Sequence, residues 1–192
     1  MLSFAKIPTP FVHFVYRPKS SSAMDDAETA ILLMACTGYY QPQILEIGTW
    51  IGETTNNIAT VIRPHGGMVT TLDVKGHEHI GEAVTEEMKP YVRFATVEEG
   101  KHECDEVRDR KYHVVFVDGD HSYEGVMLDT YLAKSVLADD GVILYHDVWW
   151  DVVPPPADGP LRFFRDVGGI VLNLTHLGVL PEHLNRLRGM IW

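Results

Sequence analysis

Two short runs hold most of the groups that could do chemistry. In Phe116-Val117-Asp118-Gly119-Asp120-His121-Ser122-Tyr123-Glu124, Asp118, Asp120 and His121 are crowded directly behind an apolar stretch. In Leu144-Tyr145-His146-Asp147, a second apolar stretch ends in an imidazole and a carboxylate. Like charges gathered at neighbouring strand ends are costly unless something neutralises them. A divalent cation would do so, with carboxylates suiting Mg²⁺ and an imidazole ligand leaning toward Mn²⁺, Fe²⁺ or Zn²⁺. A hydrogen-bonded cluster without metal is the other reading of the same residues.

A glycine-bearing run lies upstream. The stretch 44–47 leads into Gly48-Thr49-Trp50-Ile51-Gly52, followed by Glu53-Thr54-Thr55. Glycines there let a backbone approach a ligand and leave helix N–H groups free to donate. The G-x-x-x-G spacing, preceded by Glu46, departs from the G-x-G-x-x-G of pyrophosphate binders, and a tight strand–helix turn uses the same residues. Asp73 ends the next strand, where a carboxylate suits the two hydroxyls of a ribose. A solvated strand-end aspartate is its alternative. Glu98 and Glu99, after the third strand, are candidates for an adenine contact or acids complementing a helix dipole.

These residues must be positioned by alternating elements. Apolar spacing predicts helices over 24–39, 53–62, 78–88, 101–108, 123–137 and 161–167. Strands are predicted at 44–47, 68–72, 91–95, 112–117 and 142–145. The alternation implies stacked βα units and a mostly parallel sheet, with ligands bound beyond the carboxyl ends of its strands. The last two predicted strands, 170–174 and 177–180, are joined too closely for a helical crossover and should be antiparallel.

Two segments fall outside this pattern. One is an aromatic-rich arm over 1–22, leaving 23–192 as the domain proper. The other follows His146, with Trp149, Trp150 and Pro154-Pro155-Pro156 placed for a wall or lid over the site. Either segment also suits a surface for self-association.

Composition narrows the classes. The 192 residues suffice for one domain with a core. With 16 Lys and Arg against 27 Asp and Glu, the net charge of −11 speaks against coating nucleic acid or an anionic membrane. A hydrophobic share of 45% excludes a disordered chain. No run approaches the roughly 18 apolar residues of a membrane helix, and the interrupted start does not resemble a signal peptide. Cys36 and Cys104 are too isolated for a disulfide framework or zinc knuckle. The expectation from composition is a soluble, acidic, cytoplasmic single domain.

The runs ILEIGTWIGETT, TLDV and VVFVDGDHSYEGVMLDTYLAKSVLADDGVILYHDV resemble class I S-adenosylmethionine-dependent methyltransferases. Within that class they resemble a small group whose fourth strand ends in DGDHSYEG and whose fifth ends in HD. The likeness spans 24–180. It implies a Rossmann-like α/β fold, a seven-stranded mostly parallel sheet with an antiparallel last strand and helices on both faces.

The resemblance also implies roles. Glu46, Gly48, Thr49 and Gly52 would meet the methionine part of S-adenosylmethionine, Asp73 its ribose and Glu98 its adenine, with Asp118 also contributing to cofactor binding. Similar metal-dependent O-methyltransferases hold Mg²⁺ at the positions of Asp118, His146 and Asp147, although His146 stands where those relatives carry an acid. Asp120 maps onto the base of sugar-modifying relatives, and His121 is its rival. The implied reaction is S_N2 transfer of a methyl group to a hydroxyl of a small molecule or saccharide. A nicotinamide-dependent oxidoreductase and a cofactor-binding module without turnover are the competing classes.

Overall fold

The computed structural model describes residues 26–102, 104–146, 159–167, 170–171 and 190–191. The arm 1–22, Asp147, the Trp149–Pro156 stretch and the predicted strand 177–180 lie outside those residues.

Five strands form a parallel sheet: β1 (Gln43–Ile47), β2 (Met68–Val74), β3 (Val92–Val97), β4 (Tyr112–Val117) and β5 (Leu137–Tyr145). Their order is β3-β2-β1-β4-β5, so the winding reverses between β1 and β4. That reversal opens a crevice beyond the strand ends, because the connections on its two sides leave in opposite directions. Ile47 pairs with Leu72 on one side and with Val117 on the other, which aligns the three tips.

Side chains alternate across each strand and feed two cores. Ile44, Val114 and Leu144 pack with Leu32 of α1 (Asp26–Thr37) and with Ile58 and Ile62 of α2 (Glu53–Ile62). Leu45, Val115 and Ile143 pack on the other face with Val107 of α3 (Asp105–Arg108), Val126 and Leu132 of α4 (Tyr123–Val136), and Phe163 of α5 (Gly159–Val167). Helices therefore cover both faces, as a buried parallel sheet requires. No described helix is long and apolar enough to cross a membrane.

Several expectations are corrected. The segment 78–88 does not form the expected helix. Gly81 and His79 have φ of 72° and 67°, and Gly81 N and Ala83 N donate to Trp50 O and Ile51 O at 2.9 and 2.7 Å. Backbone donors that a helix would spend internally are spent on the glycine run instead. The helix expected over 101–108 shrinks to the four residues of α3, leaving 98–102 as an open loop. β5 begins earlier than 142, because Leu137 already pairs with Tyr112 across a register shift. The expected pairing of 170–174 with 177–180 falls on residues outside those described. Two-residue strands β6 (Ile170–Val171) and β7 (Met190–Ile191) pair with each other, and Ile191 pairs with Leu144 of β5.

Candidate active site

The tips of β1, β2, β3 and β4 surround one cleft of about 390 Å³. Gly48, Trp50, Asp73, His77, Glu99, Lys101, His102, Asp118, Asp120 and Asp129 are among the residues that line it. Its carboxylates come from four elements or loops, so a bound cation or hydroxyl-rich ligand would meet acceptors from several sides.

The glycine run is bent by long-range packing. Gly48 has φ +99°, and a Cβ there would collide with the carbonyl of Asp118. It lets the first strand end pass directly against the fourth. Gly52 has φ +85°, and its Cβ would meet Gly81 and Val84 at 2.9 Å. Gly52 therefore serves the packing of α2's entrance and is not among the residues lining the cleft. Trp50 holds φ +46°, uncommon for a bulky residue, while its exposed indole borders the cleft.

Asp73 is the latch of this turn. Its Oδ2 accepts hydrogen bonds from Thr49 N at 3.0 Å and Trp50 N at 2.7 Å. Its Oδ1 accepts from Val74 N at 2.7 Å and lies 2.7 Å from His77 Nδ1.

Glu46 lies beneath the floor, fully buried, where Thr55 Oγ1 and Thr71 Oγ1 both donate to Oε2, the latter at 2.6 Å. Thr49 Oγ1 extends the chain to Thr71 Oγ1 at 2.6 Å. Burial pushes the Glu46 carboxyl up to about 8 against the pull of those hydroxyls. Neither Glu46 nor Thr49 is among the lining residues.

At the β4 tip, Asp118 Oδ1 lies 3.0 Å from His146 Nδ1 and 3.6 Å from His121 Nε2. His146 is buried, and its ring and that of Phe116 stand edge to face with centroids 6.1 Å apart. Asp120 is engaged differently: its two oxygens accept from Ser122 N and Ser122 Oγ, both at 2.8 Å. Ser122 in turn caps α4, its Oγ accepting from Gly125 N at 3.0 Å. A Cβ on Gly125 would sit 2.5 Å from the Asp120 carboxylate, so the second glycine of the DGDHSYEG run makes room for that cap. Gly159 N donates to His121 O at 3.0 Å and brings the start of α5 to the site.

Several lining residues, among them His77, His102 and Asp129, were missed by sequence reasoning. Asp129, on α4, is buried, and its Oδ1 lies 2.8 Å from His102 Nδ1. Burial pushes its carboxyl up to about 6, opposed by the hydrogen bond from His102. Its Oδ2 has no hydrogen-bond partner among the described residues. The available signal was a carboxylate on the apolar face of a predicted helix. Glu98 points away into an exposed ion pair with Lys75 at 3.1 Å, and its neighbour Glu99 borders the cleft instead.

Among the described residues, no group of three His, Cys, Asp or Glu side chains could hold a metal ion. Asp118 and His146 are turned onto each other, and Asp147 lies outside the described residues. The described side chains therefore do not build a metal centre.

The methyltransferase-domain family matches residues 45–148, more than half of the chain. The chain belongs to that family and is an S-adenosylmethionine-dependent methyltransferase. No curated relative matches the sequence. Among solved structures, cofactor-bound Rv0187 from MTB is similar at 15% identity and TM-score 0.67, over 89% of this chain and 81% of that one. The O-methyltransferase TomG from Streptomyces achromogenes, in complex with SAM, is similar at 14% identity and TM-score 0.64, over 88% and 80%. The O-methyltransferase from Bacillus cereus, in complex with SAH, is similar at 18% identity and TM-score 0.63, over 91% and 83%. At these identities the likeness establishes the Rossmann-like fold.

Proposed function

We propose that this enzyme methylates a hydroxyl oxygen of a small molecule or saccharide, with the donor lying across the cleft from β3 to β4. One observation carries the reading: Asp73, Gly48 and Asp118, from three different strand tips, open onto the same cleft. The donor fits this cleft chemically, since Asp73 offers a carboxylate to ribose hydroxyls and the surrounding acids complement a cationic sulfonium. When bound, S-adenosylmethionine supplies a methyl group already activated for displacement.

The chain's own residues then have three tasks. Gly48 lets the ligand approach the backbone, and Asp73 fixes the ribose. His121 accepts the proton of the acceptor hydroxyl at Nε2, and Asp118, 3.6 Å away, stabilises the imidazolium that forms. We assign this role to His121 over Asp120, because both Asp120 oxygens already accept from Ser122. The resemblance implies a divalent cation near Asp118, His146 and Asp147. Turnover of chelator-treated enzyme with and without added Mg²⁺ or Mn²⁺ decides that requirement.

The test of the whole reading is binding followed by transfer. S-adenosylhomocysteine at a hundred times its Kd should stabilise the folded protein by about 2.7 kcal/mol and raise Tm accordingly. Absence of any thermal shift at millimolar ligand would remove the donor. Labelled methyl transfer to panels of phenols, sugars and nucleotide sugars identifies the acceptor class; binding without transfer to any hydroxyl would leave a module without turnover.

A further inference from the structure

Asp73 already has a full set of hydrogen-bond donors. A carboxylate offers about four acceptor positions on its two oxygens. Here Thr49 N and Trp50 N fill Oδ2, while Val74 N and His77 Nδ1 fill Oδ1. Three of these donors are backbone amides. Thr49 N and Trp50 N belong to the bent glycine run, anchored further by Gly48 N donating to Leu72 O at 2.8 Å and Gly52 N to Thr49 O at 2.8 Å. Val74 N belongs to β2 itself.

His77 is the exception. It is a side chain, 61% exposed, standing in the turn after β2 and lining the same cleft. It can leave by rotating its side chain, whereas displacing an amide would unmake the turn or the end of β2. We infer that His77 is a built-in competitor for the donor: it occupies the position on Asp73 that a ribose hydroxyl needs, and donor binding swings the imidazole out of the cleft. The inference rests on the donor reading of Asp73 proposed above.

Competition makes a directional statement. Removing His77 removes the hydrogen bond that binding must break, so the variant binds the donor more tightly than the parent. A net hydrogen bond of ordinary strength corresponds to roughly three- to tenfold in Kd. A His77 that helped to hold the donor would give the opposite sign.

The experiment is calorimetric titration of S-adenosylhomocysteine into the parent enzyme, His77→Ala and His77→Asn. His77→Ala should bind about three to ten times more tightly. His77→Asn, whose Nδ2 can take the place of the imidazole Nδ1, should return toward the parent. The His77 ring signals in the NMR spectrum of the parent should move on saturation with the ligand. Unchanged or weaker binding by His77→Ala, or ring signals that stay in place, overturns displacement while leaving the donor reading standing. A parent protein that binds no S-adenosylhomocysteine overturns both.

Discussion

Asp118 at the end of β4 and His146 at the end of β5 join two adjacent strand tips through a 3.0 Å contact between Oδ1 and Nδ1. His146 is buried against Phe116, so the contact fixes the carboxylate from behind while its other neighbour, His121, is partly exposed. The pair orients one oxygen of Asp118 toward both imidazoles. Asp118→Asn should therefore lower methyl transfer by about 10²-fold or more, while the Kd for S-adenosylhomocysteine changes less than about threefold. Single-turnover transfer with parallel calorimetry checks this, and matched losses would place Asp118 on the donor.

Glu46 links stability to pH. Burial raises its carboxyl to about 8, above the value near 4.3 of an unfolded glutamate. The folded state thus binds more protons than the unfolded state between those values. Stability contributed by this group is fully present below the unfolded value and is lost as pH rises toward 8. In Glu46→Gln that loss disappears. Relative to the parent, the variant should gain about 3 to 4 kcal/mol between pH 5 and pH 8, an order-of-magnitude figure. Urea melts at both pH values measure it, and identical pH slopes would show that Glu46 is ionised throughout.

The Asp129–His102 contact ties the open loop after β3 to α4. Asp129→Ala should free that loop, raising amide exchange at Gly100, Lys101 and His102 by about tenfold, since a hydrogen bond to a charged group is worth about 1.5 kcal/mol or more. The donor KM should rise with it, because these residues wall the cleft. Hydrogen exchange unchanged in this segment would show that other contacts hold the loop.

Gly48→Ala combines two penalties: a left-handed φ and a Cβ driven into the Asp118 carbonyl. A destabilisation of about 3 kcal/mol or more is expected, readable as a fall in the denaturant midpoint. Gly76, also at positive φ but with open space around the Cβ position, provides the control. Gly76→Ala should cost about 1 kcal/mol, the backbone penalty alone.

The sequence by itself determined the scaffold. Apolar spacing located α2 and β4 with the observed bounds, and the strand–helix alternation yielded a parallel sheet with its site beyond the strand ends. It also marked Gly48, Asp73, Asp118 and Asp120, because residues at strand tips are positioned by the strand in which they sit. Tertiary structure decided what those residues touch. Asp120 became the partner of the α4 cap, and Asp73 took both its loop amides and His77. The segment 78–88 lost its helix because its amides found carbonyls at Trp50 and Ile51, far away in the chain. Asp129 and His102 met across a packed interface that no local spacing encodes. Periodicity reports which face of an element is buried, but hydrogen-bond partners are chosen by whichever groups folding brings within about 3 Å.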